Sequence, residues 1–314
     1  MSHGARSPAQ AIEPGLLPRP RPPAAPGLII AVAIFGVSWA AVLVRWSAAS
    51  AYALAFWRLA LSLVIIGVAI SFGRDWRRAT DVRSSEIALL AVAGALLALH
   101  FVAFFRSLEL TTVASSTLFV NLHPLFAAVL SVVWLNERPA RGEWVGIAIA
   151  IAGAMVIGGA SLKLGPDAWR GNVLALLGAA LIAGYFVIGR FARQRLGIWV
   201  YAGWVYLFAA LFLVPLLLLR GDPIIGYPGR EWWIFAGLAA GPMLLGHTGF
   251  NWALRYVRAY IVNLAVLGEP IGASLLAWWL LGGGEVPGPS TVGGGLLIIA
   301  GLAISIYARR GVGT

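Results

Sequence analysis

Four titratable side chains lie deep inside long apolar stretches of this sequence, namely His100, His123, His247 and Glu269. Placing an ionisable group at the depth of a bilayer costs free energy, so each of them is a candidate functional residue. Histidine and carboxylate side chains exchange protons and form charged hydrogen bonds. The chemistry that they favour is therefore proton transfer or the binding of a small zwitterion.

His123 and Glu269 each stand directly before a proline, Pro124 and Pro270. They occupy equivalent positions of an internal repeat, so we expect them to approach the middle of a membrane from opposite sides as a His/carboxylate pair. The alternative is structural: each side chain caps backbone groups that its proline leaves free, or pairs with a buried Asn.

A polar stripe is predicted where His247, Asn251 and Arg255 follow one another at intervals of four residues. Residues at this spacing share one face of a helix. A polar face on a membrane helix is expected to meet a cavity or another helix. The stripe is interpreted either as a substrate path or as interhelical hydrogen bonding, with Arg255 extending to water.

Aromatic residues accompany these groups. His100 and Phe104 share a helix face, which would place a hydrogen-bonding group beside an aromatic wall or simply bury a satisfied histidine. Trp39 and Tyr185 are repeat equivalents, 146 residues apart. Stacked rings suit an aromatic or cationic ligand, and ordinary packing is the alternative for either ring alone.

Three further polar residues lie within the apolar stretches. Asn121 and Asn263 would bind a ligand or join helices. Arg58 would extend to the membrane surface or bind a substrate carboxylate. The predicted substrate-binding set is Trp39, His100, Phe104, Asn121, His123, Tyr185, His247, Asn251, Asn263 and Glu269.

The elements that must position these residues are membrane-spanning helices. The chain is 60% hydrophobic and only 11% charged, with a mean hydropathy of +0.87. About 20 apolar residues cross a bilayer as a helix. Ten stretches approach that length, near 28–46, 52–72, 86–108, 114–135, 144–161, 171–190, 199–219, 232–254, 258–282 and 291–308.

The net charge of +11 follows the predicted topology. With the N-terminus inside, 16 Lys and Arg residues fall on the cytoplasmic side and six on the outer side, while Arg58 lies within a span. This bias predicts cytoplasmic termini and argues against a nucleic-acid partner. Residues 1–27 are rich in Pro, Arg and Ala and are predicted to form a disordered cytoplasmic tail.

The sequence contains an internal duplication. At an offset of 146 residues Pro124 matches Pro270, and at 148 residues Glu137 matches Glu285 and Gly146 matches Gly294. Five spans per copy is an odd number, so the copies must enter the membrane from opposite sides. Inverted repeats with a site between them are typical of secondary transporters. The predicted repeats are 28–161 and 171–309.

The repeated motifs resemble those of the EamA transporters, in the drug/metabolite transporter superfamily. The first-half motifs are Pro124-Leu125-Phe126, Leu135-Asn136-Glu137-Arg138 and Gly146 to Gly153, and the second-half motifs are Glu269-Pro270-Ile271, Gly283-Gly284-Glu285 and Gly294 to Gly301. The resemblance implies ten transmembrane helices, as two inverted five-helix repeats around a central cavity. It implies export of amino acids and related metabolites, most like the YddG-type aromatic amino acid exporters. His123 departs from the small or apolar residue of many relatives.

The leading hypothesis is a secondary exporter in a bacterial inner membrane. It would act on small amphipathic metabolites, most of all aromatic or large apolar amino acids, with no cofactor and no metal. A drug or metabolite exporter of the same superfamily is the alternative. An intramembrane transferase would need an acidic metal cluster or a His/Asp pair, and the predicted spans contain no Asp. The oligomeric state stays open.

Overall fold

The structure is a computed structural model that describes residues 25–72, 82–135, 140–193, 195–253, 256, 262, 265–282 and 285–310. In the first half the helices are α1 (Pro26–Trp46), α2 (Ala51–Phe72), α3 (Ser84–Leu110), α4 (Val113–Val120), α5 (His123–Leu135) and α6 (Arg141–Leu164). In the second half they are α7 (Pro166–Ala192), α8 (Ile198–Arg220), α9 (Gly229–Leu238), a π-helical segment (Ala239–Thr248), α10 (Gly249–Ala253), α11 (Gly268–Leu281) and α12 (Pro289–Arg310). Of the predicted tail, residues 1–24 lie outside the described residues.

The helices carry apolar residues on all of their faces, as expected of helices that contact lipid on one side and other helices on the other. Eight of the described helical stretches are long and apolar enough to cross a membrane. Large apolar side chains such as Phe35, Leu219 and Trp233 remain exposed on the outside of the bundle. The protein is thus a multi-pass, all-helical membrane protein, as the sequence predicts.

Two of the predicted continuous spans are broken, which corrects the sequence expectation. Helix α4 ends at Val120 and α5 begins at His123, and the predicted span 232–254 is divided by the π-helical segment. Proline explains both sites because its ring clashes with the carbonyl four residues earlier. The ring of Pro124 clashes with the carbonyl group of Val120, the last residue of α4. The ring of Pro242 clashes with the carbonyl group of Leu238, the last residue of α9.

Helices α6 and α12 cross at glycine pairs and demonstrate the inversion. A Cβ atom added to Gly301 would lie 2.5 Å from the backbone oxygen of Gly146, and one added to Gly153 would lie 2.5 Å from that of Gly294. The two helices therefore meet in opposite chain directions. Since Gly146 is the repeat equivalent of Gly294, and Gly153 of Gly301, one contact is the image of the other. The two halves are inverted copies, as predicted.

Other helix pairs follow the same pseudo-symmetry. Helix α3 packs on α7, and their counterparts, the π-helical segment and α1, also pack together. Helix α2 packs on its own counterpart α8. Short turns lie at two ends of the bundle. We call the end with the α1–α2 turn the Arg45 end, and the end where α3 begins the Glu86 end.

Candidate functional site

Polar side chains from both repeats meet in the interior of the bundle. We call this group the central polar layer. Its members come from α2, α3, the break after α4, α7, α8, the π-helical segment, α10 and α11. They are Arg58, His100, Asn121, Tyr185, Tyr206, His247, Thr248, Asn251 and Glu269.

Arg58 is the most deeply buried charged residue of this layer. It is only 1% exposed, so its charge does not reach the membrane surface. This burial excludes the snorkelling interpretation. The guanidinium carbon lies 4.0 Å from the centre of the Phe101 ring and 5.5 Å from that of Phe105. The Nε and Nη2 atoms have no hydrogen-bond partner.

Glu269 lies in the first turn of α11, where the helix dipole favours a negative charge. Its Oε2 atom accepts a long hydrogen bond, 3.4 Å, from Nδ2 of Asn121, and the Oδ1 atom of Asn121 is buried without a partner. Glu269 also interacts electrostatically with Arg58. The hydrogen bond thus links the break between α4 and α5 in the first repeat to α11 in the second.

His100 and Phe104 lie on one buried face of α3, as their spacing predicts. The Nδ1 atom of His100 lies 2.8 Å from the carbonyl oxygen of Gly178, so Nδ1 donates in this contact. The rings of His100 and Phe104 stack at 6.2 Å with an angle of 15°. His247 reaches the edge of Phe101 at 5.6 Å and 83°. Phe101 is therefore shared by His247 and Arg58.

Asn251 links α10 to α7 through a side-chain hydrogen bond. Its Nδ2 atom donates to the carbonyl oxygen of His247 at 2.8 Å and to the Tyr185 hydroxyl at 3.4 Å. Nearby, the Tyr206 hydroxyl and Oγ1 of Thr248 are 3.1 Å apart. Two predicted members of this region, Arg255 and Asn263, lie outside the described residues.

His123 and Trp39 have other neighbours. His123 is buried with its ring 5.3 Å from that of Phe186, whereas the described contact of Glu269 is with Asn121. Trp39 lies 6.2 Å from the ring of Phe35, a residue exposed on the outside of the bundle. The described ring contacts of Trp39 are with Phe35 and Trp46, outside the central polar layer, whereas His123 interacts electrostatically with His100 and His247 of that layer.

Sequence reasoning left Arg58, Tyr206 and Thr248 out of the site. The signal for Arg58 was present, because a cation seven residues inside an apolar helix is costly wherever it points. Tyr206 and Thr248 carried no comparable signal, since tyrosine and threonine are ordinary residues of membrane helices. Only the contacts between helices bring them into the layer.

The Arg45 end of the bundle is closed by contacts between the repeats. Arg45 forms an ion pair of 2.6 Å with Glu285 and donates to the carbonyl oxygen of Thr111 at 2.8 Å. Glu285 also accepts from the backbone N–H of Val113 at 2.8 Å. Nearby, Glu231 accepts from the Ser47 hydroxyl. Such partly buried, charge-assisted hydrogen bonds are stronger than neutral ones.

Outside this closure lies a cavity of about 540 Å³ with charged walls. Its lining includes Tyr52, Arg106, Glu109, Arg220 and Asp222. The guanidinium of Arg220 lies 4.7 Å from the centre of the Tyr52 ring. Among the described residues, no cluster of three His, Cys, Asp or Glu side chains is placed to hold a metal ion.

Comparison with known proteins gives a family match in both halves. The model of the EamA-like transporter family matches residues 23–159 and again residues 169–307. A solved crystal structure superimposes with a TM-score of 0.61 at 22% identity, over 91% of this chain and 98% of that one. At this identity the likeness concerns the fold.

Two curated relatives carry exporter names. A probable terminal-alkyne amino-acid exporter of Streptantibioticus cattleyicolor is 28% identical over 63% of this chain and 65% of its own length. The pseudopaline exporter CntI of Pseudomonas aeruginosa is 28% identical over 72% of this chain and 77% of its own. The match thus spans just under two thirds of the first relative.

Proposed function

The chain belongs to the EamA-like transporter family, and we propose that it exports amino acids with aromatic or large apolar side chains by alternating access. The observation that carries this proposal is the central polar layer, in which Glu269 and Asn121 meet between two inverted repeats. Sites at the interface of such repeats, beside broken helices, are where secondary transporters bind substrates.

The substrate's amino group is assigned to Glu269. A half-buried carboxylate with one long hydrogen bond has unused acceptor capacity, which an ammonium group would satisfy. Rings contact other members of the central polar layer: Phe104 stacks on His100, Phe101 contacts His247, and the Tyr185 hydroxyl accepts from Asn251. Aromatic walls favour an aromatic or large apolar side chain, which supports the proposed class of amino acid.

The transport cycle is proposed to alternate the access of the layer between the two ends. With cytoplasmic termini in a bacterial inner membrane, the Arg45 end faces outward. The ion pair between Arg45 and Glu285 then acts as the outer gate, and the structure represents a state with this gate closed. Because the two halves are inverted copies, a state with the Glu86 end closed and the Arg45 end open would be the image of a state with the Arg45 end closed and the Glu86 end open.

The driving force is proposed to be the substrate gradient or exchange with protons. Glu269 and the buried histidines are the groups available for proton exchange. Uptake into proteoliposomes under an imposed pH gradient distinguishes the two, because uptake that is indifferent to the gradient excludes proton coupling.

Counterflow of a labelled amino acid panel into proteoliposomes tests the function. We expect exchange of phenylalanine, tryptophan or leucine by the parent protein, and a loss of at least about tenfold for Glu269→Gln, which corresponds to about 1.4 kcal/mol. His247→Ala, which alters the wall at Phe101, is expected to lower exchange less. Asp167→Asn, in an exposed ion pair, is the matched control and should exchange normally. If the parent exchanges no amino acid, the proposal is lost.

Export of a different metabolite is the second candidate. Relatives of equal identity are named for two different substrates, an amino acid and pseudopaline. The two candidates therefore differ in the substrate. A parent protein that exchanges no amino acid in the panel, but lowers the amount of a larger metabolite that cells accumulate, would support the second.

A further inference from the structure

We propose that Arg58 binds the carboxylate of the transported substrate, so that an amino acid is held as a zwitterion between Arg58 and Glu269. This inference rests on the proposed function and assigns the opposite pole of the same site. It makes a free carboxylate a requirement for recognition.

Burial without a partner is the first argument. Arg58 is 1% exposed, and its Nε and Nη2 atoms have no hydrogen-bond partner in the structure. An uncompensated guanidinium in a low-dielectric interior is strongly destabilising, as the other partner of a broken buried ion pair is. The cation–π contact with the face of Phe101 offsets only part of this cost. The arrangement is therefore incomplete without an anion.

The identity of the unpartnered atoms is the second argument. Nε and Nη2 lie along one edge of the guanidinium and donate in parallel. That edge matches the two oxygens of a carboxylate, which it binds through paired hydrogen bonds. The face of the same group is already occupied by Phe101 at 4.0 Å, so the free edge is held in one plane. A carboxylate, with two oxygen atoms, fits this pair of donors better than an anion of a single atom does.

The position of Glu269 is the third argument. Arg58 and Glu269 interact electrostatically, yet Nε and Nη2 of Arg58 are left without a partner, so these donors do not bond to the Glu269 carboxylate. Two opposite charges that are coupled but separate suit a molecule carrying both charges. The ammonium group would face Glu269 and the carboxylate would face Arg58. The alternative is an internal ion pair that forms when the protein changes conformation.

A series of phenylalanine analogues tests the assignment in the full-length protein. Competition with labelled phenylalanine in counterflow is measured for phenylalanine, phenylalaninamide and phenethylamine, the last two of which lack a carboxylate. For the parent we expect both analogues to compete at least about tenfold less well than phenylalanine, equivalent to 1.4 kcal/mol. Equal competition by phenylalaninamide would overturn the inference while leaving amino acid export in place.

Variants locate the effect at Arg58. In Arg58→Gln, phenylalanine should fall to the level of phenylalaninamide, and Arg58→Lys should recover part of the difference because it keeps the charge without the paired donors. Arg170→Gln, in an exposed ion pair, is the matched control and should keep the full preference. An Arg58→Gln protein that weakens phenylalanine and phenylalaninamide equally would show a structural role and overturn the inference.

Glu269→Gln supplies the reciprocal measurement. We expect this variant to lose discrimination between phenylalanine and 3-phenylpropionate, which lacks the amino group, while still rejecting phenylalaninamide. An internal ion pair between Arg58 and Glu269 predicts the opposite, namely that both variants disturb both preferences. If Arg58→Gln fails to fold, judged by thermal unfolding in detergent, the parent analogue series and the Glu269→Gln series still decide the question. A parent that exchanges no amino acid would instead remove the proposed function itself.

Discussion

The two repeats meet in two places that have diverged to different degrees. At the crossing of α6 and α12, the contact of Gly146 with Gly301 is the image of the contact of Gly294 with Gly153. In the central polar layer the copies differ: the residue before the shared proline is His123 in one and Glu269 in the other. One interface has kept its symmetry and the other has lost it.

Under the proposed function, the difference follows from what each interface does. Helices that only pack against each other meet the same steric requirement in both copies, so small residues are kept in both. A substrate with distinct ends presents no such symmetry. The residues that bind it must therefore differ between the copies, and a charge is needed on one side only.

The largest effect is expected from breaking the symmetric crossing. In Gly301→Ala the new Cβ atom would lie 2.5 Å from both the Ala150 nitrogen and the Gly146 oxygen, so backbone must move. Overpacking of this kind typically costs about 1–3 kcal/mol and sometimes more. The free energy of unfolding in detergent should fall accordingly. Gly293→Ala, on the same helix with open space around it, is the control and should unfold normally. Equal stability of the two variants would contradict the close contact.

The asymmetric interface should separate stability from function. His123→Gln and Glu269→Gln change equivalent positions, but only the second removes a charge that faces Asn121 and Arg58. We expect Glu269→Gln to lower amino acid counterflow at least about tenfold, and His123→Gln to lower it less than about threefold, a difference of under 1 kcal/mol. A larger loss of counterflow for His123→Gln would show that His123 in the first repeat, and not Glu269 in the second, recognises the substrate.

The closed Arg45 end can be opened without touching either interface. The chain has no native cysteine, so Ala114→Cys provides one label beside Val113, whose N–H binds Glu285. Adding Glu285→Gln should raise the rate of labelling by a polar maleimide at least about tenfold, since a charged hydrogen bond contributes about 1.5–3 kcal/mol. Adding Asp167→Asn instead should leave the rate unchanged. An unchanged rate in Glu285→Gln would show that the ion pair with Arg45 does not hold this end closed.

The smallest effect is expected from a neutral hydrogen bond within the central layer. Tyr206→Phe removes the 3.1 Å contact with Thr248, which keeps a bond to the carbonyl oxygen of Met243. The stability in detergent should fall by about 1 kcal/mol, the usual net value of such a bond. Tyr227→Phe, whose hydroxyl donates to Pro223 in an exposed loop, is the control and should lose less. A loss of several kcal/mol at Tyr206 would show that the layer is held by hydrogen bonds more than by packing.

Several features of the site were predictable because they depend on local chain chemistry. Proline ends a helix four residues earlier, so the break after Val120 follows from local chain chemistry, although the predicted continuous span 114–135 missed it. Helical periodicity placed His100 and Phe104 on one face, and their rings stack. For Glu269 the sequence left two partners open, His123 or a buried Asn, and could not choose between them. The break between α4 and α5 separates Asn121 from His123, and it is Asn121 that reaches the carboxylate.

The sequence by itself determined the membrane class, the duplication and the inversion, because hydropathy, repeat spacing and an odd number of spans are properties of the chain read in order. The tertiary structure decided which polar groups share the interior. Arg58 had two possible environments, lipid surface or protein interior, and only the packing of α2 against α3, the π-helical segment and α8 selected the second. Long-range contacts set the cost of each buried charge, and that cost is the reason why Arg58 is proposed as a binding residue.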